Sequence, residues 1–201
     1  GAIRWFYPNG YEIDLARAHA LADDMMLFFR DRMKVLLKGA GYRHDCIDAV
    51  LDGPDGKPDD RPYRIVSKLE ALTSFLKTDD GANLAAAYKR AANILKAEEK
   101  KDGAPADPAE VNEAALVEAE EKALFAALQE AKAAAKKLVI VVQDFEAAMS
   151  ALAKLRGPLD AFFEKVTVNA DDAALRANRL SLLASLTAAT AEVADFSKLE
   201  G

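Results

Sequence analysis

The stretch DDGANLAAAYKRAANILKAEEK, residues 79–100, decides the fold. Leu84, Tyr88, Ala91 and Leu95 recur at steps of four, three and four, so a helix brings them onto one apolar face. Asp79 or Asp80 is the expected cap. The rest of the stretch is mostly Ala, Lys and Glu, all strong helix formers. A second set, Lys89, Asn93, Lys96 and Lys100, repeats the same steps on the opposite face, with Arg90 beside it. The helix is thus amphipathic, with one side for a core and the other cationic.

The same periodicity extends in both directions. A helix is expected from about Glu12 to Lys38 with the stripe Leu15, Leu21, Met25, Phe28, Phe29, Val35 and Leu36, closed by Gly39 and Gly41. A short helix over about Arg43–Leu51 follows, then the loop DGPDGKPDDRP, rich in residues that break periodic structure. Tyr63–Lys77 reads as a helix with Ile65, Leu69, Leu72 and Leu76 on one face. After DGAPADP, the run Asp107-Pro108-Ala109-Glu110 has the marks of a helix start, with the helix continuing to about Leu138. Asp144 opens the next helix, as far as about Arg156, and Pro158 begins a short one bearing Leu159, Phe162, Phe163 and Val166. Asn169 or Asp171 is the expected cap of a last helix with Leu175, Leu182, Leu186 and Val193 inward. No segment alternates with period two, so no sheet of consequence is predicted. The fold class is all-α, a helical bundle. Two divisions suit it: residues 1–60 leading into a bundle over 61–201, or one domain over 11–199.

Of the 201 residues, 51% are hydrophobic and 30% charged, which is a globular composition. The single cysteine, Cys46, excludes an internal disulfide and a multi-cysteine zinc site, and fits a reducing, cytoplasmic setting. No apolar run approaches the roughly 18 residues of a membrane span. The start GAIRWFYPNG has no signal-peptide pattern and no initiator Met, and reads as part of a longer protein. The net charge of -6 hides an asymmetry. Residues 61–101 hold 9 basic and 5 acidic groups, net +4, between segments of net -3 and net -7. An anionic partner would therefore be met locally, on this middle segment. Catalytic chemistry is missing. His44 and Cys46 stand two apart and face different ways on a helix, and Gly39-Ala40-Gly41 lacks the lysine and spacing of a phosphate loop. Cys46 reads as a small core residue, and Arg179, near the apolar stripe of the last helix, as the partner of a buried carboxylate.

Three ordered blocks carry a resemblance. FFRDRMKVLLKGAGYRHDCIDAVL (28–51), KLEALTSFLKTDDGANLAAAYKRAANIL (68–95) and LRGPLDAFFEKVTVNADDAALRANRLSLLASL (155–186) resemble the bacterial glycyl-tRNA synthetase beta subunit. The last also resembles the DALR-type anticodon-binding domain that ends arginyl-tRNA synthetases. The resemblance implies a DALR-like helical domain that holds the anticodon end of glycine tRNA. It implies an alpha2-beta2 glycine-tRNA ligase in which the alpha subunit uses ATP and magnesium, while this part holds no cofactor and no catalytic residue. Under it, the RNA-binding candidates are Lys89, Arg90, Asn93 and Lys96, with Arg43, His44, Arg64 and Lys68 near them, Tyr42 as a stacking ring and Arg176 as a further cation. The competing readings are a helical scaffold that docks a subunit without touching RNA, and an arginyl-tRNA synthetase tail.

Overall fold

A computed structural model of the chain describes residues 4–6, 12–53 and 56–200; Tyr7 of the N-terminal stretch and Pro54 and Asp55 of the first loop lie outside them. Eight α-helices make up most of the described residues' regular structure: α1 Leu15–Gly39, α2 His44–Val50, α3 Pro62–Phe75, α4 Asp79–Asp102, α5 Ala119–Lys137, α6 Phe145–Ala153, α7 Arg156–Lys165 and α8 Ala173–Ala191. A three-residue ribbon precedes them, β1 (Arg4–Phe6) antiparallel to β2 (Glu12–Asp14), with Trp5 opposite Ile13. The first helix therefore begins three residues later than its pattern predicts, because Glu12–Asp14 pair with β1. Asp14 then caps α1, accepting from the N–H groups of Ala16 (3.1 Å) and Arg17 (3.2 Å).

Four helices close a ring in which α4 and α5 each pack against both α7 and α8. The two thus occupy opposite corners, and their outer faces look in opposite directions. Leu84, Leu124, Leu128, Leu159, Phe162 and Leu182 fill the centre, each essentially inaccessible to solvent. α6 packs on α5 and α3, and α2 lies on α3, extending the same core to Ile47, Val50 and Leu51. The turn Phe196–Lys198 folds back over α2 and α4, where the Phe196 ring meets Tyr88 at 5.6 Å. Cys46 is buried among these side chains as expected, and burial pushes its thiol up to about 11, which leaves it inert.

Three local expectations are corrected. α4 is capped by Thr78, not Asp79 or Asp80. Thr78 Oγ1 accepts from the Gly81 N–H at 3.0 Å and donates to the Phe75 carbonyl at 2.7 Å, while the two acids sit in the first turn, where the helix dipole favours them. α8 is capped by Asp172, not Asn169 or Asp171. The Asp107-Pro108 start produces a single 3₁₀ turn, and α5 begins at Ala119. The cause is tertiary: the Asn178 side chain of α8 takes the N–H of Asn112 (2.8 Å) and donates to its carbonyl (3.0 Å), so the Asn112 N–H is withdrawn from a helix ladder and its carbonyl, held by α8, accepts only a 3₁₀-type bond from Ala115 (3.1 Å). The stripe on α1 is corrected too. Leu37 is buried, but Leu21, Met25, Phe28, Phe29, Val35 and Leu36 point away from the bundle.

The α3–α4 turn is close enough to require glycine. A Cβ on Gly81 would stand 2.0 Å from the Phe75 carbonyl oxygen, a backbone atom that cannot swing aside. Gly81→Ala is expected to destabilise the chain by at least about 1–3 kcal/mol, as overpacking does, measured as a lowered urea midpoint. Ala82→Gly, one residue on in an exposed position, serves as the control.

Candidate functional site

Most basic side chains proposed from the sequence are consumed by the bundle. Lys68 is fully buried, its ammonium 3.0 Å from Asp59 Oδ2. Arg64 lies 3.2 Å from the same carboxylate and over the Phe145 ring at 6.0 Å. Burial pulls the Lys68 ammonium below its usual range, against the opposing pull of Asp59. Asp59 itself is held low, its hydrogen bond from Lys68 outweighing burial together with the Arg61 N–H and the Arg64 charge. Arg43 grips buried Asp45 through two hydrogen bonds (3.0 and 2.5 Å) and donates to the Glu200 carbonyl at 2.9 Å, while His44 Nε2 lies 3.3 Å from Glu200 Oε1. These two residues hold the C-terminal segment onto α2. Tyr42 is half-buried, packed against the core at the α1–α2 turn. Each of these is engaged in packing or an ion pair inside the molecule, Lys68 and Arg64 buried or nearly so, Arg43 and His44 still more than half exposed.

The RANRLSLL string of α8 is structural throughout its polar positions. Arg176 bonds Glu98 Oε2 and, at 2.7 Å, Asp102 Oδ2, tying α8 to the end of α4. Arg179 is buried and, as the sequence predicts, meets a carboxylate: its Nε donates to Glu121 Oε1 and its Nη1 to the Thr167 carbonyl at 2.8 Å. Glu121 Oε2 accepts from the N–H groups of Val117 (2.7 Å) and Glu118 (2.9 Å), so both carboxylate oxygens have a donor. The sequence signal for Glu121 was there: Glu118 and Glu121 form a capping box three residues apart. It is hidden if the helix is drawn from Asp107.

What remains is the outer face of α4. Arg90, Asn93, Lys96 and Lys100 are exposed and Lys89 is half-buried. Among the described residues no carboxylate forms an ion pair with Lys89, Arg90, Lys96 or Lys100; of the acids of that helix end, Glu98 and Asp102 are turned to Arg176 and Glu99 is exposed. The Arg90 guanidinium stacks on the Phe163 ring of α7 at 4.3 Å. That contact, not legible from spacing, fixes a cation in place while leaving its donors outward. Lys89, Arg90, Asn93 and Lys96 thus come together as predicted, and Lys100 extends the row. Across the bundle, α5 exposes Lys122, Lys132 and Lys136 on its own outer face, also without an ion pair among the described residues. Among the described residues no group of three or more His, Cys, Asp or Glu side chains is placed to hold a metal ion, and no helix is long and apolar enough to cross a membrane.

An all-helical ring that neutralises its inner cations and leaves a row of outer ones is a class of module suited to holding an anionic surface. The comparisons agree with that class. The model described as the DALR anticodon binding domain matches residues 84–194, from α4 to just beyond α8, and the chain belongs to that family. It is similar along its whole length to the glycine–tRNA ligase beta subunits of Rhodospirillum centenum (46% identical over 214 residues, 29% of that protein) and Phenylobacterium zucineum (50% over 202 residues, 29%). It is also similar over 89% of its length to that of Cereibacter sphaeroides (50% over 182 residues, 25% of that protein). The chain therefore spans under a third of the length of these relatives.

The Glu98 cluster fixes the base of the cationic row and gives a pH signature. Hydrogen bonds from Arg176, then Lys101 (2.6 Å), then Asn169 (3.2 Å) outweigh burial and hold its carboxyl at about 2, against an ordinary 4.5. A depressed folded-state pKa contributes stability that is complete above the unfolded value and is lost as pH falls from about 4.5 towards 2. Glu98→Gln should lower the urea midpoint at pH 7, and the gap between variant and parent should close as pH falls to the bottom of that window. A gap independent of pH would contradict the assignment.

Proposed function

We propose that this chain is the anticodon-holding part of a glycine–tRNA ligase beta subunit and that the outer face of α4 is its RNA surface. The observation that carries the reading is the row Lys89, Arg90, Lys96 and Lys100, free of carboxylate partners among the described residues and interrupted by Asn93. Cations hold phosphates and set position, while a planar amide can donate to and accept from a base edge, so a row of cations around one amide suits a loop of unpaired bases. Arg90, stacked on Phe163, is partly ordered before any ligand arrives, which reduces the entropy lost on contact. The flanking segments, of net -3 and net -7, repel RNA and confine the contact to this face.

The proposal gives the chain a binding role in a cytoplasmic ligase. ATP and magnesium serve the adenylate-forming step on the alpha subunit of an alpha2-beta2 enzyme, and no bond is made or broken by the residues described above. The family match and the names of the relatives support this assignment.

The test is titration of a fluorescent glycine-tRNA anticodon stem–loop with the chain at several salt concentrations. Binding should weaken with salt. Lys89→Ala or Lys96→Ala should each lower affinity roughly tenfold, the scale of one charged contact, and reduce the log–log salt slope by about 0.7–0.9. Asn93→Ala should alter discrimination between glycine and arginine stem–loops and leave the salt slope unchanged. Lys132→Ala with Lys136→Ala, on the opposite corner, should leave affinity within about twofold. No salt-dependent binding, by the chain or by the full-length subunit, would favour the scaffold reading. Preference for the arginine stem–loop would favour the arginyl-tRNA synthetase reading.

A further inference from the structure

α1 is apolar on two sides. Met26, Met33 and Leu37 face α2 and the following segment, and Arg30 and Lys34 fasten that side through Asp52 (2.8 Å) and Asp48 (2.6 Å). The other side exposes Leu21, Met25, Phe28, Phe29, Val35 and Leu36, each between 51 and 65% accessible. Six large side chains in one strip along a helix are far more than the scattered exposure normal for a surface.

The strip has a period of seven. Leu21, Phe28 and Val35 form one row, Ala22, Phe29 and Leu36 the next, and Ala18, Met25 and Arg32 a third. Along the free edge run Arg17, Asp24, Asp31 and Lys38, also seven apart. This is the pattern of a helix–helix seam with a charged flank.

The charges select the occupant. Pairing with a second copy in antiparallel sense sets like flank against like flank, so Asp24 meets Asp31 and Arg17 meets Lys38 of the other copy. Parallel pairing sets Arg32 against Arg32. Both are repulsive. The seam instead suits a different helix, with apolar residues seven apart, bases opposite Asp24 and Asp31, and an acid opposite Arg32. The relatives hold about 70% of their length outside the matched region. We propose that this strip of α1 is the docking surface for an amphipathic helix from that remaining part of the same polypeptide, which would fix the module to the body of the subunit.

Hydroxyl-radical footprinting of Met25, Phe28 and Phe29 tests this in the 201-residue chain and in the full-length polypeptide that contains it. In the short chain the three should be labelled at a rate independent of protein concentration. In the full-length polypeptide they should be protected roughly tenfold, the scale expected of burial in a stable interface. Phe28→Asp leaves the short chain's melting temperature nearly unchanged, because the side chain touches solvent there, yet in the full-length polypeptide it should restore labelling of Met25 and Phe29. Equal labelling in both lengths overturns the proposal. So does protection of the short chain that grows with concentration, which would assign the strip to a second copy, and so does protection that appears only on adding the separate alpha subunit.

Discussion

The buried guanidinium of Arg179 is the constraint from which the rest follows. A charge inside a bundle is tolerated only if it is paired and its donors are used, and removing one member of such a pair costs about 3–5 kcal/mol. Glu121 and the Thr167 carbonyl meet that demand. In doing so they join α8, the start of α5 and the segment after α7 at one point. Hydrogen bonds from Val117 and Glu118 hold Glu121 in turn, so the first turn of α5 is part of the same network.

One turn earlier on α8, Arg176 repeats the arrangement towards α4 through Glu98 and Asp102. Arg176 engages two of the acids at the end of α4, Glu98 and Asp102, while Arg179 engages Glu121 of α5. This explains how a chain of net charge -6 can present an unneutralised cationic face. The carboxylates that fix α4 to α8, Glu98 and Asp102, pair with Arg176 and form no ion pair with Lys96 or Lys100, and Phe163 holds Arg90. The family match runs from α4 to just beyond α8 and so covers the whole ring.

Periodicity made the helices and their order legible, because apolar spacing at 3.6 residues survives any tertiary detail. The α4 face was legible for the same reason. Other features depended on contacts between residues far apart in the chain. Asn178 captures Asn112 from 66 positions away and removes a helix that Asp107-Pro108 advertises. Lys68 and Arg64 look like surface cations until Asp59 is folded onto them. Arg43 and His44 look available until the C-terminal segment lies across α2. The α1 strip reads from sequence as a core face; its outward direction is set by which side of the helix Arg30 and Lys34 fasten.

The proposal places RNA on α4 and not on the opposite corner of the bundle. The direct measurement is photo-cross-linking with a benzophenone amino acid placed at Asn93 or, separately, at Gln129 on the outer face of α5. With glycine tRNA bound to the full-length subunit, position 93 should form a cross-link that maps to the anticodon loop, and position 129 should form none. Cross-linking from position 129 with none from position 93 would contradict the claim.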